Sequence, residues 1–168
     1  MKGKHFVWNC LIDGTLSEFP LKVLSLIDNS CHLVLIRPDI VKKLSLYILN
    51  LKTPEIVNVA ITDCNQKKEM TLTHFVILRA TSLDQLWSSH RVRAIVTPHL
   101  CMPIIFSLPF LSHNNIVTDH AARSCIDKLS SYNLMNPLLA APSFIKLSLV
   151  EKQKQAKTSK KKQIELRK

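Results

Sequence analysis

Leu24-Ser25-Leu26-Ile27-Asp28-Asn29-Ser30-Cys31-His32-Leu33-Val34-Leu35-Ile36 is the stretch whose reading decides the fold. An apolar run ends on a carboxylate, three turn-prone residues (Asp28, Asn29, Ser30) follow, and Leu33–Ile36 is a second apolar run suited to a buried strand. Upstream, Phe6–Ile12 and Leu21–Ile27 read as strands, with Asp13-Gly14 between them as a hairpin-type turn signal. Downstream, Pro38 suits the first turn of a short helix, Pro38–Leu44.

Farther along, short strands dominate. Ile56–Thr62 alternates apolar and polar residues, and Met70–Ala80 reads as a strand. The polar link Asp63-Cys64-Asn65-Gln66-Lys67-Lys68 predicts that these two form a protruding hairpin. Thr81–His90 reads as a loop with a helical turn at Leu83–Trp87. Arg91–Thr97, Pro103–Phe106, Ile116–Thr118 and Ser124–Asp127 read as strands, and Leu108–Leu111 as the start of a turn or short helix. Many short strands, polar turns and one or two short helices predict a mainly β chain.

Composition narrows the function classes. The chain has 168 residues and two glycines, Gly3 and Gly14, where average usage predicts about twelve. A Gly-rich phosphate loop and a dinucleotide fingerprint are thereby excluded. The five cysteines (Cys10, Cys31, Cys64, Cys101, Cys125) are widely spaced without a C-x-x-C pair, which predicts reduced thiols and no zinc site. The apolar stretches Leu100–Leu111 and Pro137–Val150 are too short to span a bilayer, and no cleavage site follows the N-terminal apolar run. The expectation is an intracellular protein, cytoplasmic or nuclear, neither secreted nor held in a membrane. The net charge is +11, and Glu151–Lys168 concentrates seven lysines and one arginine against two glutamates. That tail reads as a solvated helix or disordered arm. Residues 1–136 are expected to form one domain, 137–150 an apolar connecting segment and 151–168 the basic tail.

A second segment joins the first: Ile104-Ile105-Phe106-Ser107-Leu108-Pro109-Phe110-Leu111, then His113-Asn114-Asn115-Ile116-Val117-Thr118-Asp119. Together the two resemble the retropepsin-like aspartic proteases carried inside retrotransposon polyproteins. That family has an apolar-apolar-Asp-Thr/Ser-Gly-Ala/Ser loop, then a C-terminal apolar-apolar-Gly segment that continues toward Asn-Pro-x-Ile-Asp. The resemblance spans roughly Phe6–Lys128, and the hairpin Ile56–Ala80 falls where the family has its flap. It implies a single-lobe closed barrel with a flap hairpin, and a homodimer in which Asp28 of each subunit supplies one catalytic carboxylate. It implies a peptide or polyprotein substrate, with neither metal nor other cofactor. Asn29, Ser30 and Cys31 would shape the active-site loop. Phe106 and Ser107 would support it from behind, and Asp63, Cys64, Asn65 and Gln66 would form the flap tip.

The chain departs from the family pattern at defined positions. Asn29 stands at the family's Thr/Ser position, and Ser30 and Ser107 stand at its two glycines. A non-glycine residue forced into unfavourable φ/ψ costs about 1–3 kcal/mol, so strain is expected at Ser30. Sliding the turn by one residue puts Cys31 at the glycine position instead. Two alternatives therefore accompany the endopeptidase reading. One is a catalytically dead module of the same fold that dimerises or binds peptide. The other is a nucleic-acid-associated protein that contacts phosphates through Lys160, Lys161 and Lys162. Asp119 reads as a structural turn residue, and His113 and His120 lack ligand spacing.

Overall fold

The computed structural model describes residues 5–15, 20–60 and 67–135. The positions expected at a flap tip, Asp63, Cys64, Asn65 and Gln66, the segment 137–150 and the basic tail with Lys160, Lys161 and Lys162 lie outside the described residues.

The chain is mainly β. Its elements are β1 (Phe6–Ile12), β2 (Leu21–Asp28), β3 (Leu35–Ile36), α1 (Pro38–Lys43), β4 (Leu49–Ala60), β5 (Lys67–Leu78), β6 (Ala80–Ser82), β7 (Val92–Val96), β8 (Ile104–Ser107), α2 (Leu108–His113), β9 (Ile116–Asp119) and β10 (Ser124–Asp127). Eight strands form one sheet in the order β4-β5-β7-β3-β8-β2-β1-β6, and β9 and β10 form a separate hairpin. β2 runs parallel to β8 and β3 parallel to β7, while the other neighbours are antiparallel. Both helices carry proline in their first turn, where a missing N–H leaves no hydrogen bond unmade.

Several sequence expectations need correction. The sheet is not a closed barrel: β4 and β6 end the strand order and do not pair with each other. Residues Lys67–Leu72 of β5 pair only with β4, so the outer part of the β4–β5 hairpin makes no ladder beyond its own two strands, while Leu72, Met70 and Val57 share an apolar cluster with Leu35, Ile95 and Ile105. That hairpin is longer than expected, because β4 starts at Leu49 rather than Ile56. Pro54 hides this extension in the sequence. It lies in the register shift between Asn50 and Glu55, the kind of irregularity where a residue without an N–H is tolerated. The link after β1 is residues 13–20, since Ile12 pairs with Leu21; Asp13-Gly14 is only its beginning. β3 is confined to Leu35–Ile36, and part of the expected 81–90 loop is β6, paired to β1.

Two apolar clusters lie on opposite faces of the central strands, as the two-residue side-chain period requires. Ile104 and Phe106 of β8 join one cluster, with Trp8, Trp87 and Phe110. Ile105, between them, joins the other, with Leu35, Leu72 and Ile95. β8 is buried on both faces, which explains its apolar run Ile104–Phe106. Around Trp8 the larger cluster is aromatic: the ring centroid of Phe106 lies 5.7 Å away and that of Trp87 5.8 Å away.

Asp127, at the end of β10, fastens the hairpin to this cluster. Its Oδ2 accepts from the Trp87 indole N–H at 2.9 Å and from the Ser130 hydroxyl at 2.6 Å, and its Oδ1 accepts the Leu129 N–H at 2.8 Å. Burial alone would raise its pKa, but the hydrogen bonds from Ser130, Leu129 and Trp87 outweigh that and hold the carboxyl below its usual range. A depressed folded-state pKa gives stability that is present above the unfolded pKa and lost as pH falls through the folded one. Asp127→Asn should therefore destabilise the fold by about 1–3 kcal/mol at neutral pH. Urea unfolding repeated below the usual carboxylate range should show the gap between variant and wild type closing; a gap that widens on acidification would contradict this account.

Candidate active site

The strand order creates the site. β8 lies between β2 and β3, so the chain leaves β2 at Asp28, passes over the end of β8 and returns on its far side. Asp28 pairs in register with Ser107, the last residue of β8. The Leu108 N–H, first in α2, donates to the Cys31 carbonyl at 3.1 Å and ties the loop to the end of the strand beneath it. Asp28, Asn29, Ser30, Cys31, Phe106 and Ser107 are thus brought together, although about 80 residues separate the two segments in sequence.

Asp28 is half-buried. Its Oδ1 accepts both the backbone N–H of Ser30 at 2.9 Å and the Ser30 hydroxyl at 2.6 Å. Among the described residues, no donor reaches its Oδ2. This is an aspartate turn closed twice on one oxygen, leaving the other oxygen to a ligand, a water or a second carboxyl group.

Asn29 is exposed and directed within its own chain. Its Nδ2 lies 3.5 Å from Thr118 Oγ1 and 3.4 Å from His120 Nε2. His120 lies against the Phe6 ring at 4.8 Å, and the Arg123 guanidinium covers that ring, also at 4.8 Å. Thr118 and His120 are loop supports that the sequence reading did not assign; its only hint of them was the polar Thr118-Asp119-His120 at the end of an apolar run. Asp119 caps the following turn, accepting from the Ala121 and Ala122 N–H groups. Cys31 is half-buried, and its thiol donates to the Leu33 carbonyl at 3.2 Å.

The two serines that stand where the resemblance expects glycine differ from each other. Ser45, Gln85, His99, Asn115, Arg123 and Ser131 have positive φ, but Ser30 does not, and Ser107 sits at φ −116°. The backbone strain expected at Ser30 is therefore absent, because the aspartate turn is made with φ values open to any residue. At Ser107 the difficulty lies in the side chain. Its Oγ is wholly buried and, among the described residues, is the one buried side-chain polar atom without a hydrogen-bond partner. Leaving such a group unsatisfied costs about 1–3 kcal/mol.

Two substitutions separate these effects. Ser107→Ala removes the orphan hydroxyl and should stabilise the fold by about 1 kcal/mol. Ser30→Gly loses the hydroxyl bond to Asp28 and adds chain entropy to the unfolded state, so it should destabilise by about 0.5–1 kcal/mol. Denaturant midpoints measure both, and a stabilised Ser30→Gly variant would mean that the serine is strained after all.

No protein-family model matches the chain, and no curated protein matches it, so the loop around Asp28 is the starting point for what the molecule does.

Proposed function

We propose that the chain is one protomer of a retropepsin-like aspartic endopeptidase, retrotransposon-derived, that hydrolyses peptide bonds of a polyprotein as a homodimer. The observation that carries this reading is the β2–loop–β3 passage over the end of β8, which presents Asp28 beside Ser107 with Oδ2 open. A two-fold mate brings a second Asp28 to the first. Two carboxyl groups about 3 Å apart cannot both ionise, so they share a proton. The ionised one takes a proton from water as it attacks the scissile carbonyl carbon, while the protonated one donates to the carbonyl oxygen. The β4–β5 hairpin is the flap that covers the peptide and excludes bulk water. Leu26, Cys31 and Leu33, packed at the edge of the smaller apolar cluster, give the bound peptide an apolar floor.

A second reading, a catalytically silent module of the same fold that dimerises or binds peptide, is favoured by one contact. The Ser30 hydroxyl occupies Asp28 Oδ1 within the single chain, at the oxygen a partner's carboxyl group would otherwise use.

Cleavage of a mixed peptide library at mildly acidic to neutral pH decides between them. Wild type should cut, and Asp28→Asn should lose about 100-fold or more of that rate. Equal residual cleavage by both would end the endopeptidase reading. If neither cuts, recovery of cleavage in Ser30→Gly/Ser107→Gly would identify those two side chains as the obstruction.

A further inference from the structure

Behind the Asp28 loop, the fold gathers positive charge that nothing in the described chain neutralises. Arg91 and Arg93 are exposed and two residues apart at the start of β7, so they leave the strand on one side. Among the described residues the single ion pair is Arg37–Asp39, at 2.7 Å; neither Arg91 nor Arg93 forms one, although Glu55 borders a cleft with Arg93. The Arg93 guanidinium lies 5.4 Å from the centre of the Phe75 ring, which limits its freedom without satisfying its charge. Asp13 borders the adjoining cleft together with Arg91 and Arg79, yet no ion pair joins it to either.

Beside these arginines a groove of about 330 Å³ opens. Exposed His32, Arg91, Arg93 and His113 form its polar side, while Leu33 and buried Ile95 contribute to an apolar wall. No carboxylate lines it. The His113 ring packs edge-on to His90 at 5.2 Å, and the His90 N–H donates to Asn114 Oδ1 at 2.7 Å, so the α2 side of the groove is braced.

Charge and shape together select an occupant. Unpaired guanidinium groups offer forked N–H donors that match a carboxylate. A nucleic-acid backbone would require a succession of phosphate contacts along a basic track, whereas this groove is short and half apolar. We propose that the groove binds an acidic peptide segment, with an Asp or Glu carboxylate on Arg91 and Arg93 and a neighbouring apolar side chain against Leu33 and Ile95. His32, on the polar side of the groove, is four residues beyond Asp28, so the two Cα atoms lie within about 14 Å of each other. The binding site stands independently of whether Asp28 cuts.

The test uses the full chain carrying Asp28→Asn, so that no probe is hydrolysed and the result does not depend on cleavage. The probes are fluorescein-labelled Leu-Glu-Leu-Glu-Leu-Val and its isosteric glutamine counterpart, followed by anisotropy. The glutamate peptide should bind about tenfold tighter, as expected for charge-assisted hydrogen bonds. Arg91→Gln/Arg93→Gln should abolish that preference with an unchanged melting temperature. Lys22→Gln/Lys128→Gln removes the same formal charge elsewhere on the exposed surface and should retain the preference. Equal affinity for the two peptides, equal loss in both double variants, or displacement of the peptide by a single-stranded oligonucleotide at lower concentration would overturn the proposal.

Discussion

The insertion of β8 between β2 and β3 is the constraint on which the rest of the molecule depends. A strand hydrogen-bonded on both edges and buried on both faces has no freedom to slip. A one-residue shift would exchange Ile105 with Ile104 and Phe106 between the two apolar clusters. Because β8 is fixed, the parallel register of β2 is fixed, and Asp28 must end its strand opposite Ser107. The loop then has to cross the end of β8 where α2 begins, and the Leu108 N–H to Cys31 carbonyl bond closes that crossing. The position of the carboxylate is thus decided by burial of apolar side chains well away from it.

The scarcity of glycine acts differently on turns and on the site. Among the described residues, six non-glycine residues adopt positive φ, at about 1–2 kcal/mol each relative to right-handed backbone, and all lie outside β-strands. Asn115 follows Asn114, whose side chain donates to the Phe110 carbonyl and accepts from the His90 N–H, so the end of α2 is held by hydrogen bonds immediately before the left-handed residue. At the aspartate turn no such accommodation is needed. The turn is built with ordinary φ, and the unusual feature moves to the side chains, where Ser30 spends its hydroxyl on Asp28 and Ser107 has no partner for its own.

Much of this was legible in the sequence for a physical reason. Leu21–Ile27 and Ile104–Phe106 are apolar runs ended by turn or helix-start residues, a pattern that local chemistry writes plainly, and β1, β10 and both helices were readable on the same grounds. The pairing of β2 with β8 is non-local; only the resemblance to a known loop-and-strand arrangement suggested it. What stayed hidden has identifiable causes. Leu49–Lys52 lacks clean alternation, and Pro54 disguises the strand's continuity. β6 is three residues long, below what periodicity can register. Closure of the sheet was an expectation about the partners of edge strands, which alternation in one strand does not encode. Thr118 and His120 escaped notice because their role is defined by Asn29, about 90 residues earlier.

Those two residues bear on how a dimer of the proposed kind would assemble. The loop after Asp28 is held from three directions inside one chain: by Ser30 onto the carboxylate, by Leu108 onto Cys31, and by Thr118 and His120 beside Asn29. An exposed loop ordered this way loses little conformational freedom on meeting a partner, so less of the association energy goes into arranging it. The same tethering keeps the Asn29 side chain occupied with its own β9–β10 hairpin. Contacts that lock two such loops across the two-fold axis therefore have to come from the remaining exposed groups, the open Oδ2 of Asp28 first among them. Geometry prepared within the protomer and grip exerted between protomers compete for the same short loop. In this chain the described contacts fall on the side of preparation.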